Sequence, residues 1–214
     1  MSTNDYRLFY RRNLPHYQPV NATLFITFRL AGSLPVEVLQ RLRGEYERSI
    51  AEIDGSFSLR ERSEMEYAAQ HRLFGRMDAF LDAAETGPRW MEEPAIARLM
   101  TDSLHYRHGR VYDLDTFCIM PTHTHVVFSP LTSSNDKPHS LSSIMQSLKG
   151  YTAHEANKIL GWGGAFWHHE SYDHVVRDPE KHERIVKYVL DNPVKAGLVA
   201  NWQDWPWNYT KHQL

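Results

Sequence analysis

The sequence predicts an α+β fold, with a central antiparallel β-sheet flanked by helices and a helical insertion in the first half of the chain. Strand-like segments rich in β-branched and aromatic residues alternate with helical patterns. The segments lack the regular spacing of βαβ units, which favours antiparallel over parallel pairing. At 214 residues the chain fits one domain, 1–214, and we place the insertion at about 50–108.

The first half is predicted to hold one strand followed by three helices. Thr23–Leu30 is rich in β-branched and aromatic residues and is followed by Gly32, which is typical of a buried strand. Ser33 and Pro35 then begin a helical pattern that continues through Tyr46. Two further helices are predicted at about 59–84, where most of the acidic residues lie, and at about 93–105.

The second half is predicted to hold three strands and two helices. Residues 111–120 and 123–128 should form an antiparallel hairpin, and 131–140 is the clearest loop before a helix that ends at Gly161. A short strand is predicted at 171–177. Asp178-Pro179 supplies a cap and a first-turn proline for the last helix, to about 191, and Asn192-Pro193 should end it.

Composition and charge restrict the function classes. The net charge of −2 is low for a protein that coats nucleic acid. However, residues 45–97 hold twelve acidic and six basic side chains, whereas residues 1–30 hold four Arg and one Asp. If the acidic segment packs away from the working face, the remainder is mildly basic, which suits recognition of a shaped nucleic acid.

No targeting or membrane segment is recognisable in the sequence. The longest apolar stretch, 22–28, is far below the roughly 18 residues of a membrane span, and the N-terminus lacks a signal-peptide core. Cys118 is the single cysteine, so neither an internal disulfide nor a cysteine-only zinc site is available. We therefore expect a cytoplasmic protein without a membrane partner.

Among the 13 histidines, His123 and His125 form the sharpest local feature. In a strand, a spacing of two places both imidazoles on one face. Such a pair suits a divalent transition metal and leaves coordination positions open. In a chain this rich in His the pair can also arise by chance, so spacing alone leaves plain packing as an alternative.

Tyr188 and Asn192 form the second feature, because a separation of four places them side by side on the last predicted helix. The apolar stripe of that helix consists of Ile185, Val186, Val189 and Leu190. Tyr188 lies roughly 130° from the centre of this stripe, so we expect it outside the core. A nucleophile beside a metal ligand is one interpretation, and a boundary tyrosine in ordinary packing is the other.

Four ordered motifs resemble one known family, the REP-associated tyrosine transposases of the single-tyrosine HUH endonucleases. The motifs are M-P-T-H-T-H-V-V-F, S-L-K-G-Y-T-A, F-W-H-H-E-S-Y-D-H-V-V-R and Y-V-L-D-N-P-V-K-A-G-L-V. With an opening L-P-H-Y-Q-P-V, the similarity extends from Asn13 to about Trp207. The chain departs from the family at Thr122, where Asn is usual, and at Thr124, where an apolar residue is usual.

The resemblance implies a metal-dependent DNA nickase and strand transferase with the HUH, ferredoxin-like sheet. It implies that His123, His125 and Asn192 bind Mg or Mn and that Tyr188 is the nucleophile. The tyrosine would attack a DNA phosphodiester, leaving a 5′-phosphotyrosine and a free 3′-hydroxyl. The expected partner is single-stranded or hairpin DNA of repeat elements. The resemblance favours a monomer, although a dimer that pairs one subunit's tyrosine with the other's histidines is possible.

Several assignments remain open at the level of sequence. Five basic residues are candidates for phosphate contacts, and each is also explicable as a solvated charge: Arg29, Lys149, Arg177, Lys187 and Lys195. Tyr151 and Tyr172 are weaker nucleophile candidates, because neither has Asn or Gln four residues on. We leave His174 out of the metal set, and His168 and His169 unassigned.

Two rival functions differ in class from a nickase. A domesticated, non-catalytic hairpin-binding protein is the main alternative, and the intact His123, His125, Tyr188 and Asn192 argue against it. A metal-dependent barrel hydrolase would need about 250 residues and repeated βα units, which this sequence lacks.

Overall fold

The residues that the structure describes form seven strands and six α-helices. The computed structural model describes residues 9–11, 15–17, 22–53, 55–83, 87–133 and 137–213. The strands are β1 Phe9–Arg11, β2 Pro15–Tyr17, β3 Thr23–Leu30, β4 Tyr112–Ile119, β5 His123–Pro130, β6 Trp167–Val176 and β7 Asn208–Thr210. The helices are α1 Val36–Ala51, α2 Leu59–Ala83, α3 Pro94–Arg107, α4 Leu141–Leu160, α5 Pro179–Leu190 and α6 Asn192–Lys195.

Five of the strands form one antiparallel sheet in the order β6, β3, β5, β4, β7, and β1 pairs with β2 in a separate hairpin. The predicted α+β class with a central antiparallel sheet is therefore confirmed. Helices α1 to α3 lie between β3 and β4, and α2 and α3 fall within the range of about 50–108 that is predicted as a helical insertion. None of the helices in the described ranges is long and apolar enough to cross a membrane.

One face of the sheet carries the main hydrophobic core. Alternate residues of β3 from Leu24 to Leu30 point to this face and are almost fully buried. They pack with the apolar faces of α3 and α4, which include Ile96, Met100, Leu104, Ile144 and Leu148. Burial of each such side chain contributes about 1.5–3 kcal/mol, and this cluster holds more buried apolar residues than the cluster on the opposite face.

The opposite face of the sheet is more polar and is covered by α2 and α5. Its smaller core cluster includes Phe25 of β3, Phe74 of α2 and Val189 of α5. In the sheet register Thr27 lies opposite His125, and Arg29 lies opposite His123. The period of two in β3 and β5 therefore places both histidines on this second face.

Several predicted local signals are confirmed. Strands β4 and β5 form the expected hairpin, closed by a hydrogen bond of 2.9 Å from the Met120 N–H to the His123 carbonyl. Asp178 caps α5, because its side chain accepts a hydrogen bond of 2.7 Å from the Lys181 N–H. Gly161 ends α4 in the left-handed region with φ of 61°.

Other boundaries differ from the predictions. Strand β6 begins at Trp167, well before residue 171, because its first residues rejoin β3 across a bulge, with Trp167 opposite Leu30. After α5, the chain does not leave the helical region at Asn192-Pro193 but makes one further short helix, α6. Strand β7 was not predicted, since three residues at a sheet edge carry too little pattern.

Two predicted segments lie partly outside the described residues. Of the opening motif only Pro15–Tyr17 is described, and residues 134–136 of the predicted loop are not.

Candidate active site

Two histidines face each other on the sheet surface between α2 and α5. The Nε2 atoms of His123 and His125 are 3.0 Å apart, and both side chains are fully buried. Burial lowers the pKa of each imidazole to about 3, so both are neutral at pH 7. Neutral imidazole is the form that binds metal ions.

Threonine hydroxyls hold the far side of each imidazole ring. The Thr122 hydroxyl donates to the Leu81 carbonyl at 3.2 Å and lies 2.9 Å from His123 Nδ1. Because its hydrogen goes to Leu81, it accepts from Nδ1–H, which leaves the lone pair of His123 on Nε2. Thr27 Oγ1 lies 2.7 Å from His125 Nδ1 and can donate or accept, so His125 can also present its Nε2 lone pair.

Two carboxylates of α2 approach the histidine pair. Asp78 Oδ1 lies 3.4 Å from His125 Nε2 and 3.8 Å from His123 Nε2. Asp82 Oδ1 lies 3.6 Å from His123 Nε2. A helix of the acidic segment thus forms one wall of the site, so the condition under which the working face would be mildly basic is not met.

The two carboxylates are electrostatically unfavourable where they stand. Burial raises the pKa of Asp78, although His123 opposes the shift. Burial, with the neighbouring charge of Asp78, raises the pKa of Asp82 to about 7. Like charges four residues apart on a helix repel, so the pair costs free energy unless a cation lies close by.

The hydroxyl of Tyr188 reaches into the same site from α5 and donates a hydrogen bond to Asp78 Oδ2. Its half-buried ring packs edge-on against His125 and Phe25, with centroid distances of 5.7 and 6.0 Å. Lys195 Nζ lies 3.8 Å from the ring centroid on the exposed side. Burial, followed by the charge of Asp78, raises the pKa of the Tyr188 phenol.

Asn192 lies fully buried at the start of α6, close to Asp78 and Tyr188. Burial raises the pKa of both neighbouring groups, and the Asn192 amide opposes a small part of that rise. Even so, neither amide atom makes a hydrogen bond of normal geometry with any described residue. The amide oxygen is therefore free to serve as a ligand.

The donor set fits a divalent cation. Four of the ten buried side-chain polar atoms without a hydrogen-bond partner among the described residues lie here: Asp78 Oδ1, Asp82 Oδ1 and both amide atoms of Asn192. Asp78, His123 and His125 each offer a ligand atom, and these atoms lie within 4.8 Å of one another. Imidazole nitrogens with carboxylate and amide oxygens bind several divalent ions, so the set does not single out one metal.

Sequence reasoning missed the two aspartates, although α2 carries a signal for the first of them. Phe74, Asp78 and Leu81 follow the spacing i, i+4, i+7 of a single helix face, and Phe74 and Leu81 are buried. An acid within a buried stripe is unusual and indicates a function or a specific partner. No pattern in the sequence indicated that Thr27 and Thr122 contact the two histidines.

Two of the predicted phosphate contacts are engaged within the protein. Arg29 is 4% exposed and donates to Ser33 Oγ at 3.2 Å, and burial lowers its pKa to about 10. Lys149 Nζ donates to the backbone carbonyls of His168 and His169, at 2.7 and 3.0 Å. Both side chains thus have structural contacts at the edge of β6.

The other three predicted phosphate contacts are exposed. Arg177 lies over the Tyr67 ring, with 5.0 Å from its guanidinium carbon to the centroid, and Lys187 lies on the outer side of α5. The structure brings Lys195 of this group next to the Tyr188 ring.

The weaker nucleophile candidates lie in different surroundings. Tyr151 is 51% exposed on α4, which covers the other face of the sheet. Tyr172 stacks on Phe74 with centroids 3.9 Å apart, and burial raises its pKa. His174 contacts the Tyr67 hydroxyl at 2.9 Å and does not belong to the His123 and His125 group.

Comparison with known proteins supports the resemblance stated from the motifs. No protein-family model matches the chain. A REP-associated tyrosine transposase of Escherichia coli K12 is 24% identical over 102 residues, which cover 48% of this chain and 56% of that protein. The match thus spans about half the length of this curated relative.

Two solved structures are also similar. A REP-associated tyrosine transposase bound to a REP hairpin aligns over 93% of this chain and 80% of that chain, with a TM-score of 0.50 at 16% identity, which shows a shared fold. A candidate transposase from Deinococcus radiodurans R1 aligns over 86% and 96%, with a TM-score of only 0.34 at 11% identity. The predicted resemblance to the REP-associated tyrosine transposases is thereby confirmed by a sequence relative, and the fold agrees with it.

Proposed function

We propose that the protein is a metal-dependent, single-tyrosine DNA nickase and strand transferase that acts on single-stranded or hairpin DNA. One observation carries this proposal: the paired Nε2 atoms of His123 and His125 lie beside the Tyr188 hydroxyl in one buried site. The proposal extends to this chain an activity named for a relative that it matches over about half of that relative's length.

His123, His125 and Asn192 would hold the cation, which we propose to be Mg or Mn. When bound, it supplies Lewis-acid polarisation of a phosphate oxygen and offsets the negative charge that develops at phosphorus. The unpartnered buried oxygens around the histidine pair support such an ion.

Tyr188 is the proposed nucleophile. Its Oη forms a bond to phosphorus while the bond from phosphorus to the 3′ oxygen breaks, the phenol loses its proton, and the leaving oxygen gains one. The products are a 5′-phosphotyrosine and a free 3′-hydroxyl. Because the energy of the phosphodiester is kept in the tyrosine ester, a 3′-hydroxyl can attack this ester and either restore the original linkage or join a different strand.

The surroundings of Tyr188 favour a flexible single strand as substrate. The ring is half-buried and its hydroxyl faces Asp78, so a flexible strand can reach the hydroxyl more easily than a rigid duplex can, and the exposed Lys195 at the ring can attract the backbone. The histidines and the tyrosine belong to the same chain, so a monomer can complete the site.

The test is formation of a covalent DNA adduct. Purified protein is incubated with labelled repeat-type hairpin DNA and Mn²⁺ and then analysed under denaturing conditions. We expect an adduct with the wild type and none with Tyr188→Phe. Tyr151→Phe, which removes the same hydroxyl at an exposed position on α4, is the matched control and should retain the adduct.

The alternative makes a different prediction in the same assay. Hairpin binding by wild type and Tyr188→Phe alike, without an adduct across a set of repeat sequences, would show a domesticated binder and refute the nickase. An adduct that persists in Tyr188→Phe would refute the assignment of the nucleophile.

A further inference from the structure

We infer that Asp78 is an additional ligand of the metal and the residue that positions the Tyr188 hydroxyl beside it. This inference rests on the proposed function and deepens it. It assigns a direct role in the site to α2, a helix that the motifs of the sequence do not include.

The two oxygens of Asp78 face different groups. Oδ2 accepts the hydrogen bond from the Tyr188 hydroxyl. Oδ1 points to the histidine pair, 3.4 Å from His125 Nε2 and 3.8 Å from His123 Nε2, and has no hydrogen-bond partner among the described residues. A single carboxylate thus joins the proposed nucleophile to the proposed metal ligands.

The unpartnered oxygen needs a positive neighbour. Asp78 as a whole residue is 2% exposed, and an isolated buried carboxylate costs several kcal/mol. His123 cannot supply a hydrogen, because its Nδ1–H is held by Thr122 and its Nε2 carries a lone pair. His125 Nε2 is also an acceptor when Thr27 accepts from the Nδ1–H of that ring, and in that tautomer a cation between Oδ1 and the two Nε2 atoms satisfies all three acceptors at once.

Contacts on either side of Asp78 fix α2 in this position. One turn before it, Phe74 stacks on Tyr172 at 3.9 Å and meets Phe25 edge-on at 5.7 Å. About one turn after it, the Leu81 carbonyl accepts a hydrogen bond from Thr122, the residue next to His123. The carboxylate is therefore held in place before any ion binds, as a ligand requires.

Asp82 is the natural comparison. Among the described residues its Oδ1 approaches His123, at 3.6 Å, but not His125, and its side chain is 17% exposed compared with 3% for the side chain of Asp78. The geometry assigns direct coordination to Asp78 and a weaker, electrostatic contribution to Asp82.

Mn²⁺ binding to the full-length protein without DNA tests the inference by calorimetry. We expect Asp78→Asn, which keeps the shape and an acceptor for Tyr188, to weaken binding about 10-fold or more, and we expect a similar loss in His123→Ala. Asp82→Asn should have a smaller effect. Glu66→Gln, on the exposed part of the same helix, should change the Mn²⁺ affinity by less than about twofold, because Glu66 does not contact the metal site.

The outcomes distinguish a failure of the inference about Asp78 from a failure of the proposed nickase function. Mn²⁺ affinity that falls in His123→Ala but is unchanged in Asp78→Asn overturns the inference and leaves the proposed function standing. A wild-type protein that binds no Mn²⁺ overturns the proposed function and the inference with it. Thermal unfolding of each metal-free variant checks the fold, and Asp78→Asn should be no less stable than the wild type because it removes a buried charge.

A spectroscopic test distinguishes coordination from an effect of charge. In Asp78→Cys, a direct ligand becomes a thiolate, which prefers soft ions such as Cd²⁺. We expect a cadmium–thiolate charge-transfer band that saturates at one ion per chain. The wild type is the control for Cys118, which lies opposite His125 in the sheet, and should lack the band. A folded Asp78→Cys protein without the band contradicts direct ligation.

Discussion

The orientation of the His123 ring depends on a threonine that differs from the residue usual in the resembled family. Thr122 accepts from His123 Nδ1 and donates to Leu81, so one hydroxyl connects the proposed metal ligand to α2. Thr124 lies on the other face of the sheet, where its hydroxyl contacts Met91 Sδ at 3.6 Å. The first departure therefore touches the site, and the second does not.

Thr122→Val and Thr124→Val make a matched pair, because both residues are fully buried and flank His123. Thr122→Val leaves the Nδ1–H of His123 without an acceptor, so we expect Mn²⁺ affinity to fall about 10-fold. Thr124→Val should change it by less than about twofold, because the hydroxyl that it removes contacts Met91 on the other face of the sheet. Calorimetry on both variants checks the prediction, and equal losses would show that the effect comes from the strand and not from the ring.

At the scale of secondary structure, α5 determines where Tyr188 lies. Asp178 caps its first turn, and Pro179 is its first residue. One side of the helix is buried against the sheet through Val186, Val189 and Leu190. Tyr188 lies between the buried side and solvent, as the position of the apolar stripe predicts. The helix thus presents the phenol at the edge of the core.

Loss of the α5 cap should destabilise the protein measurably. Asp178→Ala removes the acceptor of the Lys181 N–H, and we expect the free energy of unfolding to fall by about 1 kcal/mol. Glu183→Ala, at an exposed position further along the same helix, should change it by less than about 0.5 kcal/mol. Urea denaturation at neutral pH measures both. A loss in Glu183→Ala as large as in Asp178→Ala would show that the effect does not come from the cap, since alanine has the higher helix propensity in both variants.

At the scale of the whole molecule, one buried carboxylate ties the end of the chain to the sheet and to α5. Asp115, at the bulge of β4, accepts from His212 Nε2 at 2.9 Å and lies 3.1 Å from His182 Nε2. Burial alone would raise the pKa of Asp115, but hydrogen bonds from His212 and Thr116 outweigh it and hold the pKa below its usual value. The C-terminal segment is thereby fixed beside β7.

This contact predicts a pH-dependent difference between Asp115→Asn and the wild type. A carboxylate with a lowered folded pKa contributes stability above its unfolded pKa of 3.8, and the contribution is lost as the pH falls through the folded value. At pH 7 we expect Asp115→Asn to be less stable by about 2 kcal/mol, with the difference shrinking below pH 3.8.

Urea denaturation from neutral to acidic pH measures this difference. Asp113→Asn is the control, because Asp113 is half-exposed and contacts Lys211 at 2.8 Å, so its loss should cost less than about 1 kcal/mol. A difference for Asp115→Asn that stays constant down to the lowest pH at which the protein folds would contradict the role of its charge.

The sequence by itself determined the features that depend on local periodicity and capping. The alternation in Thr23–Leu30 and the hairpin of β4 and β5 identified the sheet, and Asp178-Pro179 identified the start of α5. The same periodicities placed His123 with His125 on one strand face, and Tyr188 with Asn192 on one helix face. These signals work because each residue's direction follows from its own element's geometry.

Only the tertiary structure decided which elements meet across the site. Periodicity shows that α2 has a buried side, but not that this side covers His123 and His125 or that Asp78 would reach them. Arg29 likewise looked like a surface cation and lies buried at the end of β3. The reason is physical: contacts between segments distant in sequence depend on sheet register and helix packing, which no local pattern encodes.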